Sequence, residues 1–217
     1  MKGQFRLPRL LALSLLLLAA CTKAPEDSAP VPGAGPVALF IGDSLTAGYG
    51  VDPEEAWPYL VGEAWSGRGL SWRARNAAVS GSTTAGVLEA ARWALTPDVK
   101  LVFVCIGGND GLRGTPLAET NRNVDALLTE LKRDRRTVVL AGMKIPPNYG
   151  RAYADGFAEL FPALAKRHGV TYMPFLLEGV AADPRFNLPD GIHPNPEGHK
   201  KLAASVLSFL DAQGLPK

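Results

Sequence analysis

The sequence predicts an α/β domain in which helices cover both faces of a parallel β-sheet. Short, nearly uninterrupted apolar runs alternate along the chain with stretches of helical periodicity. Such runs are typical of strands buried on both faces, and the alternation is typical of consecutive β–α–β units. The length of 217 residues, with 47% hydrophobic and 20% charged residues, indicates a globular chain and excludes disordered and collagen-like classes.

Five strands are predicted in chain order. The strongest runs cover residues 37–41, 101–106 and 137–141, and weaker runs cover 72–75 and 170–173. Helices are predicted where apolar residues recur at three- and four-residue spacing, at 124–131, 153–164 and 202–210. Because ligand sites of parallel sheets lie beyond the carboxyl ends of the strands, we expect motifs that carry chemistry to follow strands directly.

The first 36 residues are predicted to direct the export of the domain and to tether it. Residues 1–20 combine a cationic start with an apolar run about half the length of a bilayer-spanning helix, which is typical of a signal peptide. The run ends in Leu18-Ala-Ala-Cys21, which resembles the lipobox of bacterial lipoproteins, so we expect a lipid on Cys21; a plain secretory signal is the alternative. Residues 21–36, rich in Pro, Ala and Gly, are predicted to form a flexible tether before a domain at 37–217.

The charge distribution argues against a nucleic-acid partner. The net charge is +2, and Lys2, Arg6 and Arg9 supply three positive charges within the first ten residues. Subtracting these three leaves −1 for the remainder, which gives no basic partner surface. A lipid on Cys21 would instead make a membrane the partner and place the domain on the bacterial cell envelope, facing the periplasm or the exterior.

A potential nucleophile, Ser44, directly follows the first predicted strand. It lies in Gly42-Asp-Ser-Leu45, which differs from the Gly-x-Ser-x-Gly elbow of α/β-hydrolases because Thr46 stands two residues after the serine. A serine at this point is also typical of a helix N-cap. The motif alone therefore leaves a structural role open.

A potential base, His193, lies three residues after Asp190. A neutral imidazole can take a proton from a hydroxyl near pH 7, and a carboxylate at its other nitrogen fixes the tautomer. On a tight helical turn this spacing would place both side chains on one face, with His193 Nε2 toward Ser44. The other two histidines, His168 and His199, are expected to be structural or solvated.

Two further motifs offer donors for an oxyanion. Asn109, in Gly107-Gly-Asn-Asp110, follows the strand at 101–106, and its amide could stabilise a tetrahedral intermediate by roughly 3 kcal/mol. Gly81 follows the weaker run at 72–75, and a glycine permits close approach of its backbone N–H. Polar turns are the alternative for both motifs.

Together these motifs resemble those of the SGNH (GDSL) hydrolases across residues 37–210, and look most like the thioesterase I, arylesterase and lysophospholipase branch. The segments that carry the resemblance are GDSLTAGYG at 42–50, GGNDGLRG at 107–114, MKIPPNYG at 143–150 and DGIHPN at 190–195. The resemblance implies a flavodoxin-like three-layer sandwich with five parallel strands. It also implies a serine esterase or thioesterase.

The resemblance further assigns a role to each motif residue. Ser44 would be the nucleophile, His193 the base and Asp190 the group that orients it. The N–H groups of Ser44 and Gly81 and the side chain of Asn109 would form the oxyanion hole. No cofactor or metal is expected, and the domain is expected to act as a monomer on a small acyl ester or a lipid.

Substrate preference and reaction type remain open at this level. The side chains of Leu112, Ile145, Pro146 and Tyr149 are expected near the cleft, where they would line an acyl pocket or merely close the rim of the domain. Acyl transfer to a sugar or alcohol would use the same residues. A non-catalytic, surface-anchored binding module and a metal-dependent phosphatase are alternatives from other classes, the latter through Asp43, Asp110, Asp190 and His193.

Overall fold

The computed structural model describes residues 35–217, which fall in one compact unit built on a wholly parallel, five-stranded sheet. The strands are β1 (Val37–Gly42), β2 (Arg73–Asn76), β3 (Val99–Cys105), β4 (Thr137–Ala141) and β5 (Thr171–Met173). The helices are α1 (Ser44–Ala47), α2 (Trp57–Gly67), α3 (Thr84–Ala94), α4 (Gly108–Leu112), α5 (Leu117–Leu131), α6 (Arg151–His168) and α7 (Pro196–Ala212). The predicted signal peptide, Cys21 and nearly all of the tether lie outside the described residues.

The strand order β2-β1-β3-β4-β5 explains how helices reach both faces of the sheet. The chain leaves β1 in one direction through α2, and then crosses back to β3, β4 and β5 in the other direction. Since such crossovers are right-handed, α2 lies on one face and α3, α5 and α6 lie on the other. Helix α7 packs beside α2. The predicted flavodoxin-like three-layer sandwich is confirmed.

The centre of the sheet is buried on both sides, which accounts for the continuous apolar runs. All six residues of β1 are buried, and the Phe40 ring lies 5.1 Å from the Trp57 ring and 6.3 Å from the Trp65 ring of α2. Burying each such side chain stabilises the fold by roughly 1.5–3 kcal/mol. Strand β2 lies at an edge of the sheet, where Arg73 is exposed, and this explains its weaker pattern.

The two histidines outside the predicted site have structural contacts. His168 ends α6, and its Nε2 lies 2.9 Å from Asp125 Oδ1 of α5. His199 is buried in α7, where its Nδ1 accepts the backbone N–H of Trp57 at 3.2 Å. His199 thus caps the start of α2, and burial lowers the pKa of its ring to about 4.

The described helices include none with the length and apolar character needed to cross a membrane.

Candidate active site

The four predicted motifs meet at the carboxyl edge of the sheet. Strand β1 runs into Ser44 and strand β3 runs into Asn109, and these two strands are neighbours. The Gly81 loop joins the same edge because the Val79 N–H donates to the carbonyl oxygen of Gly42 at 3.1 Å. After β1 the chain turns toward β2, and after β3 it turns the opposite way toward β4. Parallel sheets form a ligand crevice where two such connections diverge.

A chain of two hydrogen bonds links the predicted nucleophile, base and carboxylate. His193 Nε2 lies 2.9 Å from Ser44 Oγ, and His193 Nδ1 lies 2.7 Å from Asp190 Oδ2. The carboxylate therefore holds the proton on Nδ1 and leaves Nε2 free to accept the serine proton. The Tyr49 ring packs against the imidazole, with its centroid 4.5 Å away, and so limits the ring's movement.

The prediction that Asp190 and His193 share a helical turn is wrong. They lie in an irregular turn in which Gly191 adopts a φ of +70°. Asp190 Oδ1 accepts hydrogen bonds from the backbone N–H groups of Ile192 at 2.9 Å and His193 at 3.0 Å. The carboxylate therefore stabilises the turn in which it lies, as well as orienting the His193 ring. Those backbone bonds, His193 first, together with the bond to the His193 ring, lower the pKa of Asp190 to about 2.

Ser44 is the first residue of α1 and is held there by its neighbours. The N-cap is Asp43, not Ser44, because the Asp43 side chain accepts the N–H of Leu45 at 3.1 Å. The Ser44 hydroxyl is therefore not engaged in capping the start of α1. The ring N–H of Trp57 donates to the carbonyl oxygen of Leu45 at 3.0 Å, which fixes this short helix to α2. Gly42 is required for the approach, since a Cβ there would lie 2.4 Å from the carbonyl oxygen of Cys105.

Donors suited to an oxyanion surround Ser44. Within residues 35–217, the backbone N–H groups of Ser44 and Gly81 donate no hydrogen bond, and Gly81 has a φ of +83°. Asn109 donates one amide hydrogen to the carbonyl oxygen of Ser82 at 2.9 Å. Its second amide hydrogen is available to a ligand. The structure thus brings Asn109 and the Gly81 loop together, as the sequence predicts.

A buried brace that sequence reasoning missed connects these two loops. Both carboxylate oxygens of Asp110, a residue only 1% exposed, accept from Thr84: Oδ2 from its N–H at 2.9 Å and Oδ1 from its hydroxyl at 2.6 Å. Asn123 of α5 donates to the same hydroxyl oxygen at 3.1 Å. Because Asp110 follows Asn109 and Thr84 follows the Gly81 loop, the brace fixes the two donors relative to each other. The only sequence signal for Asp110 and Thr84 is that they lie next to Asn109 and to the Gly81 loop.

Asp43 is a second buried carboxyl that sequence reasoning gave no place in serine chemistry. It is 1% exposed, and its Oδ2 has no hydrogen-bond partner in the described part of the chain. Burial raises the pKa of Asp43 to about 6, and the nearby charge of Asp110 adds to the shift while that of His193 opposes it. A negative charge on Asp43 would therefore attract the positive charge that the His193 ring gains when it takes a proton from a nucleophile.

These carboxylates do not form the metal cluster that a phosphatase would need. The oxygens of Asp110 are taken by Thr84, and those of Asp190 by its own turn and by His193. Among residues 35–217, no group of three or more His, Cys, Asp or Glu side chains is placed to hold a metal ion. The donor geometry therefore favours nucleophilic chemistry at Ser44.

An apolar cavity of about 180 Å³ opens close to Ser44 and His193. Its lining includes three of the four predicted substrate-binding residues, Leu112, Ile145 and Pro146, whereas the fourth, Tyr149, does not line it. The lining also includes Leu45 and Ile192, which adjoin Ser44 and His193 in the chain. Larger clefts of about 440 and 350 Å³ are lined by several charged side chains and by no residue that adjoins Ser44 or His193 in the chain.

Comparisons with known proteins agree with this geometry. Residues 40–201 match the GDSL-like Lipase/Acylhydrolase family. The chain is 37% identical to an arylesterase of Vibrio mimicus, over 91% of this chain and 96% of that protein. It is 34% identical to thioesterase 1/protease 1/lysophospholipase L1 of Escherichia coli K12, over 76% of this chain and 78% of that protein. The crystal structure of the esterase EstA from Pseudoalteromonas sp. superposes with a TM-score of 0.78 at 27% identity, covering 82% of this chain and 97% of that one.

Proposed function

Because this chain belongs to the GDSL-like lipase/acylhydrolase family, and is an SGNH hydrolase of the esterase and thioesterase type, we propose that Ser44, His193 and Asp190 form its catalytic triad. The observation that carries the proposal is the continuous hydrogen-bonded chain from Ser44 Oγ through the His193 ring to Asp190, at 2.9 and 2.7 Å. These distances lie within the range at which a base removes a nucleophile's proton.

In this mechanism Ser44 Oγ attacks the acyl carbonyl carbon while His193 Nε2 takes the hydroxyl proton. The carbonyl π-bond breaks and places a negative charge on its oxygen. The carbonyl double bond then re-forms as the bond from the carbonyl carbon to the alcohol oxygen or thiol sulfur breaks. His193 gives its proton to this leaving group, and the acyl group stays on Ser44 as an ester. Water attacks this ester with the same histidine as base, which releases the acid and restores the serine.

The oxyanion is stabilised by three fixed donors, which are the N–H groups of Ser44 and Gly81 and the side-chain amide of Asn109. Support comes from their unoccupied hydrogens and from the Thr84–Asp110 brace between the loops that hold two of them. A fixed donor of this kind lowers the barrier by roughly 3 kcal/mol. Asp190 stabilises the imidazolium that forms alongside the oxyanion.

The acyl chain of the substrate occupies the apolar cavity. Leu112, Ile145 and Pro146 line it beside the triad, and its 180 Å³ matches the space of about six water molecules. Each methylene that leaves water for such a surface contributes roughly 0.8 kcal/mol, or about a fourfold gain in kcat/KM. The gain should end at the chain length that fills the cavity.

We further propose that Cys21 is lipidated and that the domain is held on the bacterial cell envelope, facing the periplasm or the exterior. The proposal rests on the cationic start, the apolar run and the Leu18-Ala-Ala-Cys21 segment. A membrane partner favours lipid esters over cytosolic thioesters. Mass spectrometry of the protein extracted from bacterial membranes tests it, since a Cys21→Ser chain should lack the lipid mass and leave the membrane fraction.

The direct test of substrate class is hydrolysis of p-nitrophenyl esters from acetate to palmitate by residues 22–217. This chain lacks the apolar leader and keeps the whole compact unit with its core. We expect kcat/KM to rise with chain length and then level off, and Ser44→Ala to remove turnover. Adding an alcohol separates hydrolysis from acyl transfer by the product formed. No turnover by a folded parent on any of these esters would contradict the proposed function.

A further inference from the structure

Exposed apolar side chains are concentrated at the edge of the sheet that holds Ser44, His193 and the acyl cavity. Of the eight large hydrophobic residues exposed in the described part of the chain, five lie here with 39% to 54% of their surface exposed. We call them the apolar rim: Tyr49, Val79, Leu112, Tyr149 and Ile192. Since the remaining three, Tyr59, Leu70 and Trp93, adjoin no triad or cavity residue in sequence, the apolar surface is concentrated at the site.

Contacts place each member of the apolar rim at this edge of the sheet. Tyr49 packs on the His193 ring, and Val79 hydrogen-bonds through its N–H to the end of β1 beside Ser44. Leu112 and Ile192 line the cavity and extend to the surface. Tyr149 lies beside Leu112, since its hydroxyl donates to the carbonyl oxygen of Leu112 at 3.4 Å.

Cationic side chains border the rim on the side formed by Leu112 and Tyr149. Arg113 follows Leu112, and Arg151 begins α6 just after Tyr149. Both are exposed, and neither forms an ion pair with another residue of the described range. Lys144, also exposed, lies 3.9 Å from Glu178 and over the Phe175 ring. Exposed apolar groups thus adjoin the cavity, with two cations unpaired within the described range, Arg113 and Arg151, beside them.

We propose that the apolar rim adsorbs the domain onto a phospholipid surface, so that an acyl chain passes from the lipid layer directly into the cavity. Phosphate groups of the lipids would meet Arg113, Arg151 and Lys144, while the apolar side chains enter the boundary of the acyl layer. The two tyrosines suit this position, since their rings are apolar and their hydroxyls can stay hydrated. The inference rests on the proposed function and narrows its substrate to lipids presented in an aggregate.

A lipid layer fits this surface better than a second protein does, because the rim adjoins an open cavity that a lipid can enter. Leu112 and Ile192 belong both to the exposed rim and to the lining of the cavity, so apolar surface connects the two. A bound protein would cover the mouth and block the triad. Arg113 and Arg151 add charge complementarity to lipid phosphate groups, which a purely apolar protein interface would not need.

Sedimentation with vesicles tests the adsorption separately from catalysis. Residues 22–217 carrying Ser44→Ala are mixed with vesicles of dioleoylphosphatidylcholine, alone or with an equal amount of dioleoylphosphatidylglycerol. We expect binding to both, and at least fivefold tighter binding to the mixed vesicles. Val79→Ser with Tyr149→Ser should weaken binding to both at least fivefold, and Arg113→Gln with Arg151→Gln should remove the preference for the anionic lipid.

Trp93→Ser is the matched control. Trp93 is the most exposed large hydrophobic residue of the described range, at 83%, and lies at the end of α3 that is remote from Ser44. The control should bind both vesicles as the parent does. Absence of sedimentation with either vesicle, or an equal loss from Trp93→Ser and from the rim variant, would overturn the proposal.

Turnover distinguishes failure of this inference from failure of the proposed function. On monomeric p-nitrophenyl butyrate we expect Val79→Ser and Arg113→Gln with Arg151→Gln to stay within twofold of the parent, while both lose at least threefold on lysophosphatidylcholine above its micelle concentration. Equal rates for all variants on both substrates would contradict adsorption but leave the esterase intact. A parent inactive on both substrates would contradict the proposed function, and the vesicle result would still decide the adsorption.

Discussion

At the scale of single residues, the reactivity of Ser44 depends on which atoms are already engaged. Asp43 takes the capping role, and Asp190 keeps the Nδ1 proton of His193, so the serine hydroxyl meets an unprotonated Nε2. Burial raises the pKa of Asp43, whereas backbone donors lower that of Asp190. The two carboxyl groups near His193 therefore differ in how readily they ionise. The first is costly to ionise and the second is always ionised at neutral pH.

Removing triad members should reduce kcat to different extents. We expect Ser44→Ala or His193→Ala to lower kcat by about five orders of magnitude, and Asp190→Ala by roughly two to four, because the imidazole keeps part of its function without its carboxylate. A matched control exists in the His168–Asp125 pair, which has a similar 2.9 Å contact but no serine beside it. His168→Gln should leave kcat unchanged, and steady-state kinetics on p-nitrophenyl butyrate measure all four variants. A fully active Asp190→Ala enzyme would remove Asp190 from the triad.

Ionised Asp43 should lower the stability of the folded state, while its negative charge should aid turnover. The pKa of Asp43 is raised from 3.8 to about 6, so the folded state binds this proton more tightly than the unfolded state does. The stabilisation that comes from binding the proton is complete below pH 3.8 and is lost as pH rises through 6. The loss amounts to roughly 3 kcal/mol at pH 8. Asp43→Asn keeps an oxygen for the Leu45 cap, so urea unfolding should show it to be more stable than the parent at pH 8, and kinetics should show a lower kcat. Equal or lower stability at pH 8 would contradict a buried charge at Asp43.

At the scale of elements, short loops and helix ends are positioned by side chains from distant parts of the chain. The brace from Asp110 to Thr84 joins the start of α4 to the start of α3, and His199 of α7 supplies the cap that Ala56 cannot give to α2. These contacts fix the active-site edge of the sheet without touching substrate.

Loss of the brace should lower kcat more than it changes KM. Thr84→Val removes the hydroxyl that Asp110 accepts but keeps the residue's shape, and the freed loops would let the Gly81 and Asn109 donors drift. We expect kcat to fall about ten- to hundredfold with KM within about threefold. Thr84→Ser, which retains the hydroxyl, should restore most of kcat. If both variants lose kcat equally, the hydroxyl has no positioning role.

His199 should give stability an opposite dependence on pH. Its pKa falls from 6.5 to about 4 in the folded state, so the contribution is complete above pH 6.5 and is lost as pH falls through 4, by roughly 3 kcal/mol. This slope opposes that of Asp43 over nearly the same range. In the His199→Gln variant the free energy of unfolding should fall as pH rises from 4 to 6.5, whereas in Asp43→Asn it should rise. Parallel urea titrations at pH 4.5 and 7 measure both, and identical slopes would contradict the assignment.

The sequence predicts elements in proportion to how deeply each is buried. Strands β1, β3 and β4 are interior to the sheet and read as continuous apolar runs, while edge strands β2 and β5 do not. The three residues of the proposed triad lie in two short motifs that are visible in the sequence. The brace could not be predicted, because Thr84 and Asp110 are ordinary polar residues 26 positions apart until the fold buries them together. The helical turn predicted at Asp190 is wrong because three-residue spacing also suits an irregular turn stabilised by backbone N–H groups.

At the scale of the whole molecule, the described domain has its chain entry and its site at opposite edges of the sheet. The chain enters at Val37, the amino end of β1, whereas Ser44 follows the carboxyl end, about 20 Å away for a six-residue strand. The 15 residues between Cys21 and Val37 can span at most roughly 50 Å when extended. A lipid on Cys21 would therefore still allow the apolar rim to face the membrane that holds the anchor.

The central claim is that Ser44 becomes covalently acylated, and one measurement tests it directly. Residues 22–217 are incubated with a p-nitrophenyl alkylphosphonate, which traps an activated serine, and the intact mass and the modified peptide are determined by mass spectrometry. We predict one phosphonyl group on Ser44, no labelling of Ser44→Ala, and labelling slowed by at least a thousandfold in His193→Ala. Labelling at another residue, or equally fast labelling of His193→Ala, would contradict the account.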